Sequence, residues 1–295
     1  MGKGGYLPFA IMSTDMRIDG HTKIFPPSFT KRRPALAKGD ATFGDLYGDP
    51  KAKLATAEEL IAALEAARFD KACVLNIGWQ TYEACKESND YILESARRYP
   101  KRLIPFCSVN PMWGPKAVRE IERCAAMGAR GIGELHPDTQ GYDIANTGLM
   151  RPVMEAARRH KLVVATHSSE PVGHRYPGKG RVTPERLLAF IEAFPSQPII
   201  LAHWGGGLPF YALMPEVRKM LAHVYFDSAA SPFLYESGIF EAVVKLAGHE
   251  KILFATDWPL ITQGRLLKQV ESAGLPKAAT SAILGGNAAR LLKAR

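Results

Sequence analysis

Short, uninterrupted apolar runs alternate along the chain with segments whose apolar residues return every three or four positions. The runs are MRIDGHTKIF (16–25), KACVLNIGW (71–79), RLIPFCSVN (102–110), RGIGELHP (130–137), LVVATHSSE (162–170), PIILAHWGG (198–206), VYFDSAA (224–230) and ILFATDWPL (252–260). They are rich in β-branched residues and bounded by Gly, Pro or Asn, as expected of strands covered on both faces of a parallel sheet. Between them lie helix-period stretches. TAEELIAALEAARF opens on Thr56 with Glu59 three residues later, a capping box. GIFEAVVKLAG gathers Ile239, Phe240, Val243, Val244 and Ala247 on one stripe and stops at Gly248.

About eight such strand-then-helix units predict an α/β protein built as a single (β/α)8 TIM barrel over residues 16–295. Residues 1–15 read as a loose N-terminal tail. The rival, an open doubly wound sheet, lacks its phosphate fingerprint: the glycines of 128-GARGIG-133 lead into a strand rather than from a strand into a helix. Two connections exceed simple βα loops, 26–56 and 171–182. Both belong to the C-terminal rim of a barrel, where long loops form lids and substrate walls. GGNAARLL, with Asn287 at a helix start, reads as the segment that closes the barrel.

Composition narrows the function classes. The chain has 295 residues, is 46% hydrophobic and 23% charged, and has no apolar run near the ~20 residues of a membrane span. Its formal net charge is +9. The basic residues sit beside glutamates on helices, as in 151-RPVMEAARRHK-161, with no basic block interleaved with aromatics. That argues against nucleic acid and suits a small carboxylate substrate. The four cysteines, Cys73, Cys85, Cys107 and Cys124, form no C-x-x-C pair, which predicts reduced thiols in a cytoplasmic protein. Neither a G-x-S-x-G nor a Walker A sequence is present. A homodimer is compatible with the basic helices, which neither favour nor oppose it.

The eight histidines divide by address. His160, His223 and His249 end predicted helices just before strands, where a histidine serves ordinary helix-terminus chemistry. His21, His136, His167, His174 and His203 lie at the C-terminal ends of predicted strands or in the loops that follow, as do Glu134 and Asp257. Several imidazoles and two carboxylates on one rim predict a shared polar site. Residues 21 and 23 point the same way along a strand, so a His-x-His pair there would be a metal signal. This chain has His21-Thr22-Lys23.

With IDGHTKIFPP, GIGELHP, VVATHSSEPVGHRYPGKG, IILAHWGGG, LFATDWPL and GGNAARLL in this order, the chain resembles amidohydrolase family 2, the branch of the amidohydrolase superfamily that includes aminocarboxymuconate semialdehyde decarboxylase. The resemblance implies one divalent metal, zinc first and manganese second, held by His21, His167 and Asp257, with His203 as the catalytic histidine. Lys23 departs from the pattern at the second ligand position. Either the metal stays with three protein ligands and Glu134 near its shell, or Lys23 itself supplies the positive charge.

The resulting expectation is a metal-dependent hydrolase of a small cyclic or aromatic carboxylate, with His203, Asp257 and Lys23 as catalytic groups. The alternatives are a nonoxidative decarboxylase using the same residues and a metal-free barrel that only binds ligand. The substrate wall is expected from Glu134, Glu170, His174, Arg175, Tyr176, Lys179 and Trp204. Trp79, Trp204 and Trp258 are each candidates either for the pocket or for the core.

Overall fold

The structure, a computed structural model, describes residues 16–294; the N-terminal tail assigned from sequence lies outside them. Eight strands form one parallel sheet in sequential order: β1 (Ile18–Thr22), β2 (Lys71–Val74), β3 (Leu103–Cys107), β4 (Gly131–Leu135), β5 (Val163–Thr166), β6 (Ile199–Leu201), β7 (Val224–Asp227) and β8 (Ile252–Leu253). A parallel bridge between Thr22 and Trp258 returns the end of the sheet to β1. Hydrogen bonds from Gly20 N to Phe254 O (2.7 Å) and from Asp257 N to His21 O (2.9 Å) complete the seam. The result is the (β/α)8 barrel that the alternation predicted.

Period-two alternation sorts the strand side chains into two layers. Cys73, Ile104, Phe106, Val163, Ala165 and Ile200 pack together inside the tube. Their neighbours Val74, Cys107, Val164, Ile199 and Leu201 face outward against the helices. The helix Asn287–Leu292 adds Ala288 and Leu292 to the inner cluster and so stoppers the tube. Asn287 anchors this plug by donating to the carbonyls of His249 (2.7 Å) and Ile252 (2.8 Å).

The local signals act as expected. The helix Ala57–Ala67 carries a complete capping box between Thr56 and Glu59, and Gly248 ends the helix Gly238–Ala247. The long 26–56 connection is more ordered than a loop: it folds into the helices Ser28–Gly39 and Ala41–Tyr47. Phe25, Phe29, Phe43 and Trp79 hold it down, with Phe43 stacked on Trp79 at 5.4 Å between ring centres. Trp79 therefore belongs to packing. The 171–182 connection contains turns and bends but no helix or strand. All four cysteines are buried and unpaired. No helix among the described residues is long and apolar enough to cross a membrane.

Candidate active site

The C-terminal mouth of the barrel opens into a cavity of about 650 Å³ whose lining includes Lys23, Glu134, His136, His167, His203 and Asp257. Their backbone is shaped for this. His203 (φ 55°) and Asp257 (φ 62°) occupy the left-handed region, uncommon for side-chain-bearing residues and frequent where a fold fixes a functional group. Glu134 follows Gly133, whose φ of +140° and approach to the Ala165 carbonyl leave no room for a Cβ.

Lys23 is the centre of the site and is only 3% exposed. Its Nζ lies 2.7 Å from His21 Nε2, 2.7 Å from Glu134 Oε2 and 3.0 Å from Asp257 Oδ1. An ammonium has three protons, and here three acceptors from β1, β4 and the segment after β8 receive them. Accepting from Lys23 requires a lone pair on His21 Nε2. Accordingly His21 Nδ1–H donates to Asp227 Oδ2 at 2.8 Å. Asp227 also takes the backbone N–H groups of His203 (2.9 Å) and Ala229 (3.1 Å), so one carboxylate positions both histidines.

Glu134 is the second hub. Beyond Lys23, its Oε1 receives His167 Nδ1–H at 3.1 Å and lies 3.5 Å from His203 Nε2. Since an ionised carboxylate only accepts, His167 must carry its proton on Nδ1. Its Nε2 is buried with no hydrogen-bond partner among the described residues. His203 Nδ1–H donates to the Ala229 carbonyl at 3.0 Å. Glu134, His167 and His203 place one donor atom each within 4.8 Å of one another and could hold a metal ion.

The electrostatics follow from this clustering. Burial alone favours the neutral acid for Glu134, but the Lys23 ammonium, aided by the hydrogen bond from His167, outweighs it and holds the carboxyl well below its usual range. Burial likewise opposes ionisation of Asp257, yet the Lys23 ammonium brings it to about 2. Burial lowers His203, but the hydrogen bond and charge of Glu134, with Asp257 and Asp227, carry it up to about 9. For His136 desolvation wins, opposed by Glu134, and the ring falls to about 3. At neutral pH the pocket therefore holds ionised carboxylates, a neutral His136 and a protonated His203. Against burial and Lys23, the carboxylates of Glu134, Asp227 and Asp257 also carry His21 up to about 10. Its 2.7 Å contact with Nζ has room for one proton, however, which the stronger base Lys23 keeps.

The substrate-wall expectations divide. His174 and Tyr176 line the main cavity. Glu170 instead accepts from Tyr176 Oη (2.9 Å) and Tyr235 Oη (3.5 Å) in an adjoining pocket of about 310 Å³. Lys179 uses its ammonium on the carbonyls of Val172 (2.6 Å) and His174 (3.0 Å), so it stitches the loop and is directed away from the main cavity. Arg175 is exposed and outside the cavity lining. Trp204 is corrected more sharply. The left-handed turn at 203–204 sends its indole into the core, where it packs on Phe240 and donates to Ser231 Oγ at 2.9 Å.

Two site residues escaped the sequence reading. Asp227 ends β7 at the same address as Asp257 on the last strand, so VYFDS contained a usable signal. Tyr47, half-buried in the cavity wall, comes from the first long connection, where periodicity gives no direction.

The amidohydrolase family model matches residues 18–294, nearly the whole described chain. The chain belongs to the amidohydrolase family. Among curated members, it is 26% identical over 258 residues to a gamma-resorcylate decarboxylase of Polaromonas, covering 72% of this chain and 76% of that protein. It is 25% identical over 215 residues to a 6-methylsalicylic acid decarboxylase of Penicillium expansum, covering 63% and 65%. A solved 5-carboxyvanillate decarboxylase of Novosphingobium aromaticivorans, with bound manganese and 3-methoxy-4-hydroxy-5-nitrobenzoic acid, superposes with a TM-score of 0.77 at 18% identity. That superposition covers 94% of this chain and 97% of the other and establishes the shared fold.

Proposed function

We propose that this barrel is a nonoxidative decarboxylase of a small hydroxylated aromatic carboxylic acid, the reading placed second to hydrolysis from sequence. The observation that carries it is the protonation balance of the cavity floor. Hydrolysis through Glu134 or Asp257 needs a carboxylate basic enough to activate water, and both are held low by Lys23. Decarboxylation needs the reverse, a proton to give: Ar–COO⁻ and H⁺ become Ar–H and CO2. His203, protonated at neutral pH, is suited to deliver it. Both curated relatives being decarboxylases supports the same direction.

In this reading the substrate ring enters the 650 Å³ cavity. The unpartnered Nε2 of His167 accepts the phenolic O–H, which enriches the ring in electrons. His203 protonates the carbon bearing the carboxylate, the carbon–carbon bond breaks, and CO2 leaves. Asp257 lies on the cavity side of Lys23 and orients the ammonium. Tyr47, His174 and Tyr176 form the walls.

The metal implied by the resemblance meets an obstacle here. Of its three ligands, His21 and Asp257 already direct their inward atoms at the Lys23 ammonium, at 2.7 and 3.0 Å. A divalent ion bound by that set would sit against a fixed positive charge. The set does not fit the ion, and no step above passes through one.

A panel of ortho- and para-hydroxybenzoates assayed for CO2 release tests the proposal, with aryl esters and lactones run beside it. Release of CO2 from at least one hydroxybenzoate is expected. Turnover of esters or lactones with no CO2 from any acid would return the function to hydrolysis.

A further inference from the structure

We propose that the Lys23 ammonium is the resident cation of this site, standing where a divalent ion would otherwise sit, and that the protein excludes stoichiometric metal because of it. The argument is one of donor saturation. His21 Nε2, Glu134 Oε2 and Asp257 Oδ1 make up a nitrogen-and-carboxylate set of the kind that binds zinc or manganese. All three lie within 3.0 Å of Nζ. The ammonium has no fourth proton, and two of the three atoms, from Glu134 and Asp257, reach it from 111 and 234 residues away in sequence. Such convergence is the mark of a built site.

Lys23 is also held in place. Its backbone N–H donates to Trp258 O at 2.7 Å, fixing the start of the side chain at the barrel seam. Its burial forbids a swing to solvent without leaving Glu134 and Asp257 facing one another with no ammonium between them. The remaining donors, Glu134, His167 and His203, do not supply an independent seat, because Glu134 already gives one oxygen to Lys23 and the other to His167. An ion there would compete with the ammonium for a single shared carboxylate.

This inference does not rest on the decarboxylase reading, since metal can be counted without substrate. A barren substrate panel leaves it standing. The wild-type protein, expressed with added Mn²⁺ or Zn²⁺, is analysed by elemental mass spectrometry, titrated calorimetrically with each ion, and melted with and without EDTA. Substoichiometric metal, no saturable binding and an unmoved Tm are expected. Lys23→His, which completes a His-x-His pair, is expected to gain about one ion per chain and a Tm that rises with metal. Lys23→Arg keeps the charge and is expected to stay empty. A wild-type protein carrying about one ion per chain that EDTA removes overturns the proposal. So does a folded Lys23→His variant that binds no metal. Should Lys23→His fail to fold, the wild-type metal count alone decides.

Discussion

His203 combines strained backbone, buried position and raised proton affinity in one residue. Its folded pKa of about 9 exceeds the unfolded value of about 6.5. The stability it contributes is therefore fully present below about pH 6.5 and is lost as pH rises through 9. Asp257 runs the other way: with a folded value of about 2, its contribution is present above about pH 4 and is lost as pH falls toward 2. On the proposed chemistry, kcat falls above about pH 9 as His203 gives up its proton. His203→Gln is expected to lower kcat by about 10²- to 10⁴-fold with a much smaller change in KM, and to abolish the alkaline limb of the profile. A pH profile of kcat for wild type and variant checks this. Asp227 acts through its neighbours, by fixing the His21 tautomer and the His203 backbone. Asp227→Asn is expected to lower both Tm and kcat, read by thermal melts and steady-state kinetics.

Among the elements, the segment after β1 has the largest influence on the cavity. Its two helices carry Tyr47 to the wall and are seated by Phe25, Phe29 and Phe43 on Trp79. Truncating Phe43 to Ala removes a fully buried ring and is expected to cost about 3–5 kcal/mol, measured by denaturant unfolding. Thr56→Ala, which removes the cap of the next helix, is expected to cost only about 1 kcal/mol. The contrast separates packing from capping. The elements differed in how readable they were. Thr56–Glu59 and Gly248 announced helix ends because caps are local chemistry. The 26–56 helices did not announce themselves, since a proline-interrupted segment with most of its charge exposed has weak periodicity.

For the whole molecule, the eight-fold alternation made the barrel legible, and with it the rim on which the polar residues gather. His21, Glu134, His136, His167, His203 and Asp257 could be placed by strand-end address alone. The direction of loop side chains could not. Lys179 and Arg175 offered plausible cations in sequence, but nothing local reveals that Lys179 is consumed by two carbonyls of its own loop. Trp204 was misread because a strand-end address says nothing about a left-handed turn at the preceding residue. Lys23 was legible as a departure, but its contacts with Glu134 and Asp257 were not, because those carboxylates lie 111 and 234 residues further along the chain.

The most direct test of the proposed reaction is turnover of a hydroxybenzoate in D2O with chelator present, followed by NMR of the product. One deuterium at the carbon that lost its carboxylate, with CO2 released in equal amount, is the predicted result. An unchanged acid, or a product that retains the carboxylate and gains the elements of water, would contradict it.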